Sequence, residues 1–386
     1  MNDFEFKNPT KIIFGKDKIS KLKGEIPANA KVLMLYGGGS IKKNGVYEQV
    51  KEALSDVKVL EMGGIPPNPE YEVLLKAVEL IKSENITFLL AVGGGSVIDG
   101  AKFISAAALY EGDSPWDLIT RRKPVLEGMP FGTVLTLPAT GSEMNSGSVI
   151  TRKEIKAKVA LGGPGLFPVF SILDPQVVSS IPQNQIANGL ADAFTHVLEQ
   201  YVTYPVEAIL QDRIAESVLQ SLIEVAPAIM KDPSDYKAAS NFMWSCTMAL
   251  NGLLRLGVPT DWSIHAIGHE LTALFGIDHA RTLAILTKNL YTHNFEYKKE
   301  KLAQLAERVW GVNEGGVDEK AQAGIDHIEF FFHSLGIKTK LSEYTEAYEG
   351  TAEIIADRLE ERGWTALGER GETTPKDVAE IVAMSY

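Results

Sequence analysis

The chain has 386 residues, which is enough for two domains that each bury a core. Its composition, 45% hydrophobic and 23% charged residues, is that of an ordinary globular protein. The formal net charge of -12 leaves no basic surplus for nucleic acid or for an anionic membrane surface, so we expect a small molecule as the partner.

Cysteine usage and hydropathy bear on the compartment. The single cysteine, Cys246, excludes an intramolecular disulfide framework and fits a reducing environment. It lies in an apolar run, which favours buried packing over catalysis. The N-terminus has neither the basic nor the apolar region of a signal peptide, and no run of about 18 apolar residues occurs. We therefore expect a cytoplasmic protein.

Residues 1–182 alternate short apolar runs with stretches of helical periodicity, which predicts a parallel sheet covered by helices. The predicted strands are KVLMLY (31–36), VKVLEM (57–62), ITFLLAV (86–92), GTVLTL (132–137) and FSILDP (170–175). The predicted helices between them are IKKNGVYEQVKEALSD (41–56), YEVLLKAVELIKSEN (71–85) and VIDGAKFISAAALY (97–110). The continuous apolar run at 86–92 indicates a central strand that is buried on both faces.

After about residue 182 the strand signals stop. Apolar residues recur at helical spacing in QNQIANGLADAFTHVLEQYV (183–202), AILQDRIAESVLQSLIEVAPAIM (208–230) and KKEKLAQLAERVW (298–310). We expect an α/β domain over 1–182, an all-helical domain over 183–386, and a cleft between them.

The sequence GGGS occurs twice, at 37–40 and 93–96, each time after a predicted strand and before a predicted helix. Glycines there let the backbone approach a ligand, and the following helix N-terminus offers N–H groups to phosphate. Neither copy is the G-x-G-x-x-G fingerprint, and Ser96 and Asp99 also have the spacing of a helix capping box. A third loop, 136–148, places hydroxyl and amide groups after another strand, which favours a dinucleotide site at this sheet edge.

Histidines and one aspartate are spaced as in a metal site. Asp192 and His196 lie four residues apart on a predicted helix, and so do His265 and His269. His279 would lie about 21 Å beyond His265 on one unbroken helix, but Gly276 can end that helix and reverse the chain. The earlier carboxylate–imidazole pair and two of the three later histidines could then surround one ion. Oxygen and imidazole ligands without thiolate suit Fe²⁺ or Zn²⁺, and the spacing leaves open which two histidines bind.

The order of five motifs resembles the iron-containing alcohol dehydrogenase family, most of all its butanol dehydrogenases and NADPH-dependent aldehyde reductases. The resemblance runs from about residue 9 to beyond 285. The motifs are PTKIIFGK, GGGSVIDGAK, TLPATGSE, D-A-x-x-H-x-x-E and H-x-x-G-H-E-L-x-x-x-F-G-I-x-H-A. The fold that it implies is similar to dehydroquinate synthase, with an α/β dinucleotide domain and an all-α metal domain.

The resemblance also implies the roles of individual residues. Its metal ligands are Asp192, His196, His265 and His279. Its catalytic residues are His269, which orients groups or relays a proton near the nicotinamide, together with Asp99 and Lys158. The residues that it implies for the dinucleotide are Gly94, Gly95, Ser96, Asp99, Thr136, Thr140, Asn145 and Lys158, and the first glycine-rich turn adds Gly37, Gly38, Gly39 and Ser40.

The expected cofactor is NADP(H). Relatives that prefer NAD place an aspartate directly after the first strand of this domain, where the carboxylate accepts hydrogen bonds from the ribose 2′-OH. Here that position is Gly37, and Lys42 and Lys43 follow, a set of groups suited to a 2′-phosphate. The lysines could instead only solvate a helix start.

The expected reaction is reversible hydride transfer between NADP(H) and a small aldehyde or primary alcohol, with one Fe²⁺ or Zn²⁺, in a homodimer or larger homo-oligomer. Two alternatives share part of the sequence pattern. A lyase similar to dehydroquinate synthase would need many basic residues around an anionic substrate. The stretch from residue 240 to residue 280 offers Arg255 and little else. A metallohydrolase would leave the glycine loops without a role.

Overall fold

The computed structural model describes the whole chain, Met1–Tyr386. Its strands are β1 (Lys11–Phe14), β2 (Lys31–Tyr36), β3 (Lys58–Met62), β4 (Phe88–Gly94), β5 (Phe131–Leu137), β6 (Gly147–Arg152), β7 (Ala157–Gly162) and β8 (Phe170–Leu173). Its α-helices are α1 (Leu22–Glu25), α2 (Val46–Ala53), α3 (Tyr71–Glu84), α4 (Gly95–Leu109), α5 (Asp117–Thr120), α6 (Gln183–Tyr201), α7 (Ile209–Lys231), α8 (Tyr236–Ala249), α9 (Ser263–Phe275), α10 (His279–His293), α11 (Phe295–Trp310), α12 (Val317–Ser334), α13 (Thr351–Glu361) and α14 (Pro375–Ala383).

Six strands form one parallel sheet in the order β1-β8-β5-β4-β2-β3. All five predicted strands are present, and β4, buried except at its last residue, lies near the centre as predicted. Because the strands are parallel, the carboxyl ends of β2, β4 and β5 meet at one edge. The two GGGS loops and the loop after β5 therefore lie along that edge.

Three strands were not predicted. β1 has only four residues and pairs with β8 at the edge of the sheet, so its apolar run is too short to stand out. β6 and β7 form a separate antiparallel hairpin between β5 and β8. Charged residues and glycines interrupt their apolar pattern, which hides the alternation of a strand.

The chain divides into two compact units. The sheet unit comprises Lys7–Pro182 and Lys231–Asn251, and the helical unit comprises Met1–Phe6, Gln183–Met230 and Gly252–Tyr386. One junction between the units, at Pro182, lies where the strand signals of the sequence stop. The segment Lys231–Asn251, which contains α8, belongs to the sheet unit although it follows α6 and α7 in the chain. The domain bounds 1–182 and 183–386 remain a prediction.

α8 packs into the sheet unit through three kinds of contact. The ring of Trp244 meets Phe14 edge-on, with centroids 6.0 Å apart. Thr247 Oγ1 donates to Glu143 Oε1 over 2.5 Å. Gly141, whose φ is +62°, lies so close that an added Cβ would be 3.2 Å from the Cys246 carbonyl oxygen. Cys246 is buried in this helix, which confirms the expected packing role.

The helical unit contains no strand, as predicted, and its longest buried element is α6. Residues from Ile186 to Tyr201 on this helix are all buried. None of the helices combines the length and the apolar character that a membrane span requires.

Candidate functional site

Asp192 and His196 lie one turn apart on α6, as the sequence predicts, and each is only 4% exposed. Residues 186–201 of this helix are all buried because it runs through the interior of its unit. A carboxylate and an imidazole at such a position need compensation for the hydration that they lose.

α9 and α10 bring three further histidines to the same place. His265 and His269 lie on α9, which ends at Gly276 in the left-handed conformation with φ 69°. The Gly276 N–H donates to the Thr272 carbonyl and closes the last turn. α10 then begins at His279 itself. The predicted break at Gly276 is confirmed, and it returns His279 to the vicinity of His265.

Three imidazole nitrogens lie at nearly the same distance from Asp192 Oδ1: 3.8 Å for His196 Nε2, 3.9 Å for His265 Nε2 and 3.8 Å for His279 Nε2. These separations are too long for hydrogen bonds. They are shorter than the roughly 4.2 Å that two ligands on opposite sides of one ion can reach at bond lengths of about 2.1 Å. The ligand atoms of Asp192, His265 and His279 all lie within 4.8 Å of one another.

The carboxylate itself supports the fit of a cation. Asp192 Oδ1 is buried and accepts no hydrogen bond, whereas buried carboxylate oxygens in proteins almost always have a partner. One carboxylate and three imidazoles form a donor set that suits Fe²⁺ or Zn²⁺. The residues present therefore fit the divalent ion that the sequence predicts.

His269 lies next to this group, one turn after His265 on α9. Its ring centroid is 4.9 Å from that of His279 and 6.2 Å from that of His265. Spacing alone left open which two of the three later histidines face the aspartate. The structure brings His265 and His279 to Asp192 and places His269 beside them.

Glu199 is the last residue of the D-A-x-x-H-x-x-E motif and lies on α6. Its side chain is 0% exposed. Oε1 accepts the Ile264 N–H over 2.6 Å, and Oε2 forms a short contact with His265 Nδ1. Burial, followed by the charge of Asp261, raises the pKa of the Glu199 carboxyl well above its ordinary value, against the effect of the Ile264 amide. The signal that could have found it is its position three residues after His196.

A second buried carboxylate, Glu270, follows His269 directly in α9. It is 0% exposed and pairs with two arginines of α13 and the residues after it: Arg358 Nε lies 2.5 Å from Oε2, and Arg362 contacts Oε1. These pairs fix α9, and with it the histidine positions, against α13.

In the sheet unit, the first GGGS loop is open. Gly37 has room for a Cβ, whose nearest neighbour would be the Ile65 carbonyl at 3.4 Å, and nothing lies within 4 Å of a Cβ at Gly38. Gly39 has φ +93°, which favours glycine, and Ser40 is exposed. Packing therefore does not require a glycine at 37 or 38.

Lys42 extends from this loop over two aromatic rings. Its ammonium lies 4.9 Å from the ring centroid of Tyr36 and 4.8 Å from that of Tyr47. A hydrogen bond with the Tyr36 side chain raises the pKa of Lys42 from its ordinary value. The cation therefore lies beside the loop at 37–40.

The second GGGS loop is closely packed. A Cβ at Gly93 would lie 2.5 Å from Val97 Cγ2, at Gly94 2.8 Å from Leu137 Cβ, and at Gly95 2.5 Å from Thr140 Oγ1. Glycine is required here by the protein's own packing. β4 ends at Gly94 and α4 begins at Gly95. The N-terminal N–H groups of α4 therefore lie at the carboxyl end of β4.

The capping box proposed for Ser96 and Asp99 is wrong, because α4 begins at Gly95 and both residues lie inside the helix. Ser96 Oγ instead accepts the Asn68 N–H over 3.2 Å. Asp99 accepts hydrogen bonds from Ser142 Oγ at 2.5 Å and from the Val149 N–H at 2.9 Å. Burial raises the pKa of the Asp99 carboxyl, while Lys102 acts in the opposite direction.

Lys102 was missed by the sequence analysis. It is 0% exposed and donates to Ser142 Oγ (2.8 Å), Asn145 Oδ1 (2.8 Å) and the Gly147 carbonyl (2.7 Å). Burial lowers its pKa to about 8. A lysine three residues after Asp99 in an otherwise apolar helix was the available signal.

Asn145 was expected to contact the dinucleotide, but its side chain is fully used within the sheet unit. Besides Lys102, its Oδ1 accepts the Gly147 N–H, and its Nδ2 donates to the Gly141 and Leu250 carbonyls. An amide has two donors and two lone pairs, so no hydrogen-bonding capacity is left for a ligand. Asn145 shapes the loop after β5.

The remaining predicted residues lie around the same sheet edge. Thr136 is near the end of β5, and Thr140 Oγ1 accepts the Ser142 N–H over 3.2 Å. Lys158, 4% exposed, lies in β7 opposite Thr151, and its charge reaches Asp99.

Comparison with protein-family models gives two matches that together span nearly the whole chain. Residues 9–175 match "Iron-containing alcohol dehydrogenase", and residues 186–386 match "Fe-containing alcohol dehydrogenase family, C-terminal".

Individual proteins are similar over the full length. The chain is 50% identical to the NADPH-dependent aldehyde reductase YqhD of Escherichia coli, with 97% of each chain covered. It is 42% identical to the probable NADH-dependent butanol dehydrogenase 1 of Bacillus subtilis, with 100% of each covered. Its fold superimposes on the crystal structure of E. coli YqhD with a TM-score of 0.98 at 48% identity, covering 100% of this chain and 99% of that one.

Proposed function

Because this chain belongs to the iron-containing alcohol dehydrogenase family, we propose that it transfers hydride reversibly between NADP(H) and a small aldehyde or primary alcohol. It is an oxidoreductase of aldehydes and alcohols, as its relatives are. Net oxidation and reduction separate this activity from the lyase and the hydrolase that share the sequence pattern. Three features of the chain support the proposal: its metal ligands, its dinucleotide loops and the histidine beside the ligands.

We assign Asp192, His196, His265 and His279 as the ligands of one divalent ion. The observation that carries this assignment is the set of three imidazole nitrogens 3.8–3.9 Å from a buried carboxylate oxygen that accepts no hydrogen bond. When bound there, Fe²⁺ or Zn²⁺ supplies Lewis-acid polarisation of the carbonyl oxygen on which negative charge develops.

The loops at the sheet edge are assigned to NADP(H), which supplies the hydride. Gly94, Gly95 and Ser96 present the N-terminal N–H groups of α4 to phosphate. Gly37 and Gly38 leave space where a side chain would fit, and Lys42 supplies a cation for the 2′-phosphate. Thr136, Thr140 and Lys158 line the remaining edge, and Asp99 and Asn145 hold this loop in place.

His269 is assigned to orientation and proton relay. Its imidazole lies beside the proposed ligands, with its centroid 4.9 Å from His279, and it is 9% exposed. A histidine can accept and release a proton near neutral pH, so it can complete the alcohol after hydride arrives.

The proposal is tested with anaerobically purified protein, NADPH and butyraldehyde, by following absorbance at the nicotinamide band and measuring bound metal by elemental analysis. We expect NADPH oxidation by the unaltered protein. His265→Ala and His279→Ala should lose metal and activity together while NADPH still binds, because each removes a ligand.

His327→Ala is the matched control, since the His327 ring stacks on Trp310 with centroids 5.1 Å apart and belongs to no ligand cluster. It should retain metal and activity. A full equivalent of metal in either ligand variant would remove that residue from the assignment, and metal-loaded protein that leaves NADPH unoxidised with a series of small aldehydes would contradict the reaction.

Compartment and assembly are also part of the proposal. A single buried cysteine supports a reducing compartment such as the cytoplasm. The family resemblance supports a homodimer or larger homo-oligomer, and the net charge of -12 argues against nucleic acid and anionic membranes as partners.

A further inference from the structure

Glu199 contacts His265 through the ring nitrogen that does not face Asp192. Nε2 of His265 lies 3.9 Å from Asp192 Oδ1, and Nδ1 meets Glu199 Oε2. The other oxygen of Glu199 accepts the Ile264 N–H over 2.6 Å, which fixes the carboxylate. The side chain is 0% exposed, so water does not compete for either contact.

A neutral imidazole carries one proton, and it binds a metal through the nitrogen that lacks it. A His265 ring that offers Nε2 to the ion therefore carries its proton on Nδ1, where Glu199 Oε2 is placed to accept it. We propose that Glu199 is a positioning residue that holds His265 as the Nδ1-protonated tautomer and thereby presents the Nε2 lone pair to the ion. This inference rests on the metal site proposed above.

The ring of His265 is restrained on another side as well. It stacks on the ring of His196, with centroids 4.6 Å apart and an angle of 16° between the planes. The stack limits tilting of the ring but leaves the choice of tautomer open. The contact of Nδ1 with Glu199 is what distinguishes the two ring nitrogens.

Glu199→Gln separates this role from simple packing because the amide has nearly the same shape as the carboxylate. One oxygen of Glu199 accepts the Ile264 N–H and the other faces Nδ1 of His265, whereas glutamine offers one oxygen and one NH₂. The Ile264 N–H cannot change, so the amide oxygen should turn towards it and the NH₂ towards His265. His265 would then keep its proton on Nε2, the nitrogen that the ion needs.

The first measurement is the dissociation constant of Zn²⁺ from initially metal-free protein, by competition with a chromophoric chelator. We expect Glu199→Gln to weaken Zn²⁺ binding by about 10- to 100-fold, the range seen when such partners of ligand histidines are removed. Affinity equal to that of the unaltered protein would overturn the positioning role. Failure of the unaltered protein to bind Zn²⁺ at all would overturn both this inference and the proposed metal site.

Glu216→Gln is the matched control. Glu216 is also buried, at 3% exposure, and bonds Tyr201 and Arg308 without touching a ligand histidine. Its loss should lower the melting temperature of metal-free protein and leave Zn²⁺ affinity unchanged. If Glu216→Gln weakens Zn²⁺ binding as much as Glu199→Gln does, the effect is general loosening and the inference is wrong.

A second measurement examines the tautomer directly in the unaltered protein. Nitrogen-15 NMR of histidine-labelled, metal-free protein reports which ring nitrogen is protonated, and the His265 signals are identified by their loss in metal-free His265→Asn. We expect a proton on Nδ1. A deprotonated Nδ1 would contradict the proposal.

Discussion

Five histidine and aspartate side chains lie within a few ångströms of one another in the helical unit, yet their roles differ. Asp192 is approached by three imidazoles at 3.8–3.9 Å. His269 shares α9 with His265 but lies beside the group. The helical spacing of the sequence predicts both pairs, whereas the choice of His265 and His279 depends on where the chain turns at Gly276.

His269→Ala should keep the ion and lower turnover, because the side chain is assigned a place beside the proposed ligands and not among them. Removing a group that transfers a proton typically costs about 10²- to 10⁴-fold in rate. The measurements are bound metal and kcat of the same preparation. Loss of metal in this variant, with retention in His279→Ala, would show that the two histidines exchange roles.

Gly37→Asp should reverse or abolish a preference for NADPH over NADH. The added Cβ meets nothing closer than 3.4 Å and the backbone φ is not strained, so the variant should fold. The new carboxylate would repel a 2′-phosphate and accept hydrogen bonds from a 2′-hydroxyl. The ratio of kcat/KM for the two cofactors is the measurement.

Gly38→Asp, at the neighbouring open position, is the control for charge alone. It adds the same carboxylate one residue further from the end of β2. An unaltered protein with equal efficiency for both cofactors would contradict the argument from the missing acid. That outcome is informative because relatives of this chain carry both NADPH-dependent and NADH-dependent in their names.

At the scale of elements, one buried lysine links three parts of the sheet unit. Lys102 of α4 bonds the residues that follow β5 and the first residue of β6, and Asp99 on the same helix bonds Val149 in β6. The loop after β5 and the start of β6 are therefore both held by α4. The sequence shows the loops, because turn residues have local signatures, but it cannot show which buried cation holds one of them.

Lys102→Met should lower the free energy of unfolding by roughly 3 kcal/mol, because it leaves three buried or partly buried acceptors, on Ser142, Asn145 and Gly147, without their donor. It should also raise the KM for NADPH, since the loop after β5 loses its support. Urea titration and steady-state kinetics measure the two effects. Lys288→Met, which removes the partly exposed pair with Glu329, should cost less than about 1 kcal/mol and leave the KM unchanged.

The same lysine should make the free energy of unfolding depend on pH. Its pKa of about 8 in the folded protein lies below the ordinary 10.5, so between these values the unfolded chain binds more protons. Stability from this site should therefore rise with pH from about 8 to 10.5, by up to about 3 kcal/mol relative to Lys102→Met. An unchanged difference across this window would show that Lys102 stays protonated.

At the scale of the whole molecule, the spacing of apolar residues predicts an α/β half and an all-helical half. It can do so because the buried face of a strand or a helix repeats at a regular interval along the chain. The edge strand β1, the β6–β7 hairpin and the inclusion of α8 in the sheet unit could not be predicted in this way. They depend on contacts between residues far apart in the chain, such as Glu143 with Thr247. The resemblance to a family predicted the ligand set, which local spacing left open.

Removal of the metal should lower the melting temperature. The proposed ligands come from α6, α9 and α10, so an ion that binds only the folded protein stabilises it by about 4 kcal/mol when present at 1,000 times its dissociation constant. Calorimetry with and without a chelator measures the change. His265→Ala should no longer respond to the chelator, and a chelator-insensitive unaltered protein would contradict the assignment.

The assignment of α8 to the sheet unit has a consequence for synthesis on the ribosome. Domains tend to fold as they emerge, the N-terminal one first. Here Lys7–Pro182 emerges without the helix that covers Glu143 and Gly141, because Lys231–Asn251 is translated only after α6 and α7. Until α8 is synthesised, the surface of the sheet unit that this helix covers is therefore exposed to solvent. A gene fragment that stops at residue 182 should yield an aggregation-prone product, whereas one in which a short linker joins residues 231–251 to residue 182 should yield a folded one.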